Sequence, residues 1–194
     1  MGIFGISKRE VWQQLCQETT ANYMERGFWK GDRVEMPFQN WNIVLDNYAV
    51  STGKTTVVYT RIRMLFVRKN DFTFRVYKKG IFSSIAKAFG ANQIETGNPS
   101  IDETFVVKGN NEEKIRSLFA NKRLTDLLLS QPQMDFQAKR HGNKSGDTAI
   151  LIYQVAGVVK DVERLKNLFE LFGETIITLD EMGVVSTNIP QAVL

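Results

Sequence analysis

His141 and Cys16 are the only histidine and the only cysteine in the chain, so nucleophilic or metal chemistry built on those side chains has one of each to use. His141 opens a polar loop at 141–147, where a catalytic base would lack the third group that holds it in place. Cys16 falls on a helical face beside aromatic residues, the setting of a small core residue rather than of a nucleophile. One of each cannot supply a conventional zinc site, and no metal or cofactor is expected. Ser51-Thr52-Gly53-Lys54-Thr55-Thr56 ends like a phosphate-binding loop. That motif's leading glycine would fall at Tyr48, however, and a strand pattern follows where a phosphate-cradling helix is needed, so the segment reads as a hairpin turn. Carboxylates gather in pairs: Asp102 and Glu103 at a strand start, Glu112 and Glu113 at a helix start, Asp161 and Glu163 at another. Acidic residues in a first helical turn are what the helix dipole favours, and a hydrolase would need two of them to converge in one cleft. No catalytic residue is assigned.

Charge is the stronger signal. Between positions 53 and 90 lie Lys54, Arg61, Arg63, Arg68, Lys69, Arg75, Lys78, Lys79 and Lys87 against Asp71 alone, a surplus of +8 in a chain whose net charge is +4. Such segregation faces a polyanion, an anionic membrane or the chain's own acidic part. Tyr59, Arg61, Arg63, Arg75, Tyr77 and Lys79 fall on one face of two extended runs, with guanidinium forks for phosphate and rings for base stacking. The bland reading is a solvated sheet face, or one covered by the acidic segment that holds Asp161, Glu163, Glu170, Glu174, Asp180 and Glu181. Phe82, Ile85, Ala86 and Phe89 are spaced as a short amphipathic helix, and Phe82, Ile85 and Phe89 next to Tyr77-Lys78-Lys79-Gly80 could rest on anionic lipid, although such a helix more often packs on its sheet.

The elements that position these residues follow from periodicity. Ser7 and Glu10 have capping-box spacing, with Ile6 and Val11 as a hydrophobic staple, so a helix is expected from Lys8 to near Gly27. Strands are expected at 42–50, 55–68, 72–79, 103–108, 133–140 and 149–159. A three-residue loop at 69–71 pairs Phe66 with Phe74 and Met64 with Val76, and sets Arg63 opposite Tyr77 and Arg61 opposite Lys79. A two-residue loop would set Phe66 against Arg75, mixing the faces. Asn110 is expected to cap a helix that breaks near Asn121, because Ile115, Leu118 and Phe119 lie opposite Leu124, Leu127 and Leu128 on an unbroken helix. A long helix runs from about Asp161 to Glu181, is stopped by Gly183, and leaves a loose tail at 183–194.

The expected fold class is α+β: one domain over 1–194, with an N-terminal helix in 1–27 and, over 34–182, a bent antiparallel sheet of about six to seven strands, inserted short helices and a long C-terminal helix. One concrete form is a pleckstrin-homology-like fold. Thirteen Phe and three Trp supply a core, and four Pro leave little room for a linker. A lone cysteine, no secretion signal and no run of about 20 apolar residues point to the cytosol and to no transmembrane segment.

Three stretches, LDNYAVSTGK at 45–54 with YTR at 59–61, DETFVVKGN at 102–110 with EK at 113–114, and GVVKDVERLK at 157–166, resemble an uncharacterised bacterial family of domains of unknown function, over most of residues 40–180. The resemblance implies a bacterial, cytosolic or membrane-proximal domain and brings no activity or catalytic residue. The leading expectation is a non-catalytic interaction or scaffold domain that binds a protein partner or self-associates, the basic sheet of one copy against the acidic helix of another. The alternative is single-stranded nucleic-acid or anionic-surface binding through the basic face, and the third is a carboxylate-dependent hydrolase.

Overall fold

The computed structural model describes residues 6–26, 31–51, 53–80, 93–142, 146–186, 188, 190 and 194. The expected Phe82, Ile85 and Phe89 helix lies outside them. Five helices, α1 (Lys8–Glu18), α2 (Pro99–Thr104), α3 (Glu112–Phe119), α4 (Lys122–Leu129) and α5 (Val162–Glu181), accompany eight strands among the described residues. The strands are β1 (Asn22–Met24), β2 (Arg33–Phe38), β3 (Trp41–Ser51), β4 (Thr56–Val67), β5 (Phe74–Lys78), β6 (Phe105–Gly109), β7 (Asp135–Arg140) and β8 (Thr148–Ala156). All pair antiparallel in one open sheet, ordered β1-β2-β3-β4-β8-β7-β5-β6. The class is α+β, with more strands than the six to seven expected.

Sequence order and sheet order part company after β4. The expected hairpin across 69–71 does not form, because β4 takes β8 as its second neighbour and β5 sits between β7 and β6. β8 explains why. Ala149, Ile150, Leu151, Ile152, Tyr153 and Val155 are all buried, Ala149, Leu151, Tyr153 and Val155 in the helix-side core and Ile150 and Ile152 beside Leu65 on the other face, and a strand this apolar needs neighbours on both edges, which the middle of a sheet provides. The chain from β4 to β5 therefore crosses the end of the β7–β8 hairpin. Arg68 N donates to Asp147 O at 2.8 Å, and the Asp71 carboxylate holds both Arg68 and Arg140.

The helices cover one face. Ile43, Leu45, Ile62, Met64, Phe66, Phe74, Val76, Phe136, Leu151 and Tyr153 point into a single core with Val11, Trp12 and Leu15 of α1 and with Leu165, Leu168, Phe169, Phe172 and Ile176 of α5. The Phe136 and Phe172 rings lie 5.3 Å apart at its centre. Gly173 allows α5 to approach β2, since a Cβ there would stand 2.9 Å from the Phe38 ring.

Local signals set most helix ends. The Ser7 and Glu10 capping box is formed, Asp161 caps α5, and Asn121 caps α4 at the expected break. The cap of α3 is Asn111, one residue beyond expectation, because the Asn110 side chain instead accepts from Thr73 N and donates to Asp71 O. The N-terminal helix stops at Glu18, well short of Gly27. The Thr19 hydroxyl takes the Leu15 carbonyl and then accepts from Ala21 N, which turns the chain into β1. The expected strand at 103–108 starts only at Phe105, because Asn98 and Pro99 begin α2. The tail at 183–194 is not loose throughout: Val184 and Val185 are in the core, and Ser186 N donates to Val67 O at 2.7 Å.

Tyr23 on β1 donates its hydroxyl to Asp32 Oδ2 at 2.7 Å, and burial first, then this bond, push its pKa up to about 12. Alkaline titration followed by tyrosinate absorbance is expected to show a late step near that pH, and Tyr23→Phe is expected to remove it. With a folded pKa above the unfolded value, the contribution of this bond is complete below about 10 and fades as pH rises toward 12.

Candidate interaction surface

The face opposite the helices carries most of the residues singled out for their charge. Registers Asp46↔Arg61, Arg61↔Gln154 and Tyr77↔Asp135 line up across β3, β4, β8, β7 and β5, and strand alternation puts Tyr59, Arg61, Arg63, Arg75 and Tyr77 on this side. The β4 members are separated from the β5 members by two strands, so Arg63 does not face Tyr77, nor Arg61 Lys79. Lys79 lies beyond the end of β5 and donates to Asp102 O at 2.6 Å.

Carboxylates of the sheet itself already occupy the guanidinium groups. Arg61 forks onto Asp46 (Nε to Oδ1 2.9 Å, Nη2 to Oδ2 2.8 Å), and Arg63 Nη2 reaches the same Oδ2 at 2.6 Å. Arg75 forks onto Asp135 at 2.8 and 3.1 Å, and Gln154 Nε2 donates to that carboxylate at 3.2 Å. Arg33 pairs with Glu35. Burial lowers the Arg63 pKa from its ordinary value while Asp46 pulls it back up. A phosphate backbone would have to displace these carboxylates, which weighs against the nucleic-acid and anionic-surface readings.

The acidic helix does not cover the arginines, because α5 packs on the opposite face. Two of its carboxylates are also in use: Glu170 takes both arms of Arg123 at 2.6 Å, and Glu163 takes Lys166 at 2.7 Å. A contact of the basic sheet with the acidic helix would have to break these pairs.

At one end of this face the surface turns apolar. β2 pairs with β3 only as far as Asp46, and β8 pairs with β4 only from Thr60, so the β3–β4 hairpin overhangs both neighbours. Tyr48↔Tyr59 and Val50↔Val57 are successive cross-strand pairs on the arginine side. The tyrosine rings stack 5.2 Å apart, and the Arg61 guanidinium lies over Tyr48 at 4.6 Å. Beyond them Val50 and Val57 are 42% and 36% exposed, with Val58 exposed on the reverse side. Tyr48 donates to Gln154 Oε1 at 3.1 Å, and burial raises its pKa. Thr60 roots the hairpin: its hydroxyl donates to Gly157 O at 2.8 Å and accepts from Val159 N at 2.9 Å. In the stripe that results, valines then tyrosines then a paired arginine, the tyrosines and the arginine are of the types that carry binding energy at protein interfaces, and the valines supply exposed apolar area beside them. The charge argument found Tyr59 and Arg61 but missed Tyr48, Val50 and Val57, although the Ser51↔Thr56 turn register would have placed them.

The other candidates have structural work. Asp102 accepts from Thr96 N and Gly97 N, Asp161 caps α5, Glu112 pairs with Arg116, and Glu103 is exposed. Cys16 packs against the core and its thiol is pushed up by burial. His141 closes the β7–β8 hairpin through its backbone, donating from N to Thr148 O at 3.0 Å. The segment around Gly53 is the β3–β4 turn, with a strand on each side. Among the described residues, no group of three His, Cys, Asp or Glu is placed to hold a metal, and no helix is long and apolar enough to cross a membrane.

No family model matches the chain, and neither a curated protein nor a solved structure matches it.

Proposed function

We propose that this chain is a non-catalytic interaction domain that self-associates through the Val50/Val57 and Tyr48/Tyr59 stripe. The observation that carries the reading is the overhanging hairpin, whose exposed valine pair adjoins a stacked tyrosine pair. Contiguous exposed apolar residues, unlike singly scattered ones, point to a contact site, and closed homodimers are the commonest assembly. A twofold axis set between the two pairs would lay each copy's valines on the other's tyrosines, an apolar match without like charges opposed. The stripe is small, so the association is weak, in the range of transient contacts. A lone, partly buried cysteine supports a reducing compartment such as the cytosol.

Because the charges of this face are already paired, association is expected to persist at high salt, unlike a contact between exposed charges. Sedimentation velocity of the wild-type chain up to about 1 mM, the dissociation constant that corresponds to about −4 kcal/mol, should show a concentration-dependent increase in sedimentation coefficient. Val50→Asp combined with Val57→Asp should abolish it at unchanged circular dichroism. Strictly monomeric wild type over that range, or a variant that associates as well as wild type, would overturn the reading.

A further inference from the structure

An edge strand with bare main-chain groups invites another strand, so folded chains shorten, interrupt or cover their edges. Both ends of this sheet are treated in those ways. β1 has only three residues, Pro37 removes a donor from the part of β2 that β1 leaves open, and at β6 Ile94 N donates to Val107 O at 2.9 Å while Gln93 bridges to Lys108. A third edge lies within the strand order. β3 runs on from Asn47 to Ser51 after its pairing with β2 has ended at Asp46, and no strand among the described residues takes that side of it. The direction of its main-chain groups follows from the neighbouring strand. Val58 O accepts from Gly157 N at 2.7 Å, so Val58 turns its backbone away from β3, and its cross-strand partner Ala49 turns its own N–H and C=O to the open side. Asn47 and Ser51, two residues to either side, do the same. The stretch Asn47-Tyr48-Ala49-Val50-Ser51 holds no proline and no charge to discourage pairing.

We infer that this edge is the seam of self-association: β3 of a second copy adds antiparallel to it about a twofold axis that passes through the sheet at Ala49, and the two sheets continue as one. The inference rests on the self-association proposed above and specifies how the copies meet. A second copy is the occupant because the segment is complementary to itself. With Ala49 opposite Ala49 of the second copy, Tyr48 lies opposite its Val50, and Asn47 opposite its Ser51. Tyr48↔Tyr59 and Val50↔Val57 are already neighbours within each hairpin, so a row of two tyrosines in one copy runs on into two valines of the other. On the reverse side Ala49 and Val58 of both copies form an uncharged row. The Ala49 pair exchanges its N–H and C=O groups, and Asn47 with Ser51 does so on either side of it. Main-chain bonds along an added strand supply affinity, and alternate side chains supply the register. The incoming strand lies end to end with β2, whose first residue, Arg33, stands opposite Asp46.

Ala49→Pro in the full chain removes the central donor and leaves every residue of the stripe in place, and a position whose N–H faces outward on an edge accepts proline. In sedimentation velocity up to about 1 mM, this variant is expected to stay monomeric, at unchanged circular dichroism, where the wild type associates. Amide exchange of the wild type gives a second measurement that needs no substitution. For a dissociation constant of about 1 mM, half of the chains are paired at that concentration. The Ala49 amide should then exchange about twofold more slowly than in dilute solution, while the amides of Tyr48 and Val50, turned toward β4, change less. An Ala49→Pro variant that associates as well as wild type, or an Ala49 amide whose rate ignores concentration while the wild type associates, overturns the inference. The stripe itself would survive either result if Val50→Asp with Val57→Asp still abolished association. A wild type that stays monomeric throughout removes both.

Discussion

Asp135→Ala is expected to lower the stability of the fold by about 3–5 kcal/mol, the cost of leaving a buried charge without its partner. Asp135 is 1% exposed and Arg75 6%, and the two side chains are joined by a forked pair of hydrogen bonds. Removing the carboxylate strands the guanidinium among Tyr77, Gln137 and Gln154, where water does not reach it freely. The loss should read as a fall of more than about 1 M in the urea midpoint, with little change in slope for a slope of roughly 1–3 kcal/mol per M. The double replacement Arg75→Met with Asp135→Leu separates the causes. Two apolar side chains need no partner, so most of the loss should be recovered. If the double variant is as unstable as Asp135→Ala, the pair has some other task on this face.

Phe172→Ala should cost a similar amount, about 3–5 kcal/mol, for a different reason: the transfer term plus the cavity left behind. Phe172 is fully buried in the middle of α5 and meets Phe136, whose neighbour in the chain is Asp135 on the reverse face of β7. The two substitutions therefore probe opposite faces of the same inserted strand. Lacking shared partners, they should add to within a few tenths of a kcal/mol in the double variant. A strong coupling between them would mean that β7 shifts as a body when either face is disturbed.

What the sequence revealed and what it hid divide along the range of the forces involved. Helix ends depend on side chains three residues apart, so the Ser7/Glu10 box, the Asp161 cap and the Asn121 break could be read directly. Which residues share a face depends on strand alternation alone, so Ile62, Met64 and Phe66 were separable from Arg61 and Arg63. Strand pairing depends on segments far apart, and adjacency in sequence misled: β4 and β5 read as a hairpin, yet β7 and β8 lie between them. The signal that could have corrected this was the run of buried apolar residues from Ala149 to Tyr153, too continuous for a strand at a sheet edge. Asp135, sixty residues from Arg75, explains why the cationic surplus looked available for a partner. Asp46 was closer to hand, since the turn at Gly53 puts it opposite Arg61. A charge count along the chain sees neither partner, because pairing in three dimensions cancels what clustering in one dimension suggests.

The hairpin stripe, on the face opposite the five described helices, is the proposed place where this domain meets its own kind. The most direct test is to dilute isotope-labelled wild-type protein from about 1 mM, the weak end of measurable association, and to follow every backbone amide by nuclear magnetic resonance. Concentration-dependent shifts are expected to concentrate at Tyr48, Val50, Val57 and Tyr59, to remain at high salt, and to leave Glu163, Glu170 and Glu174 of α5 unmoved. Shifts centred on those glutamates and lost with added salt, or no shifts at any concentration, would contradict it.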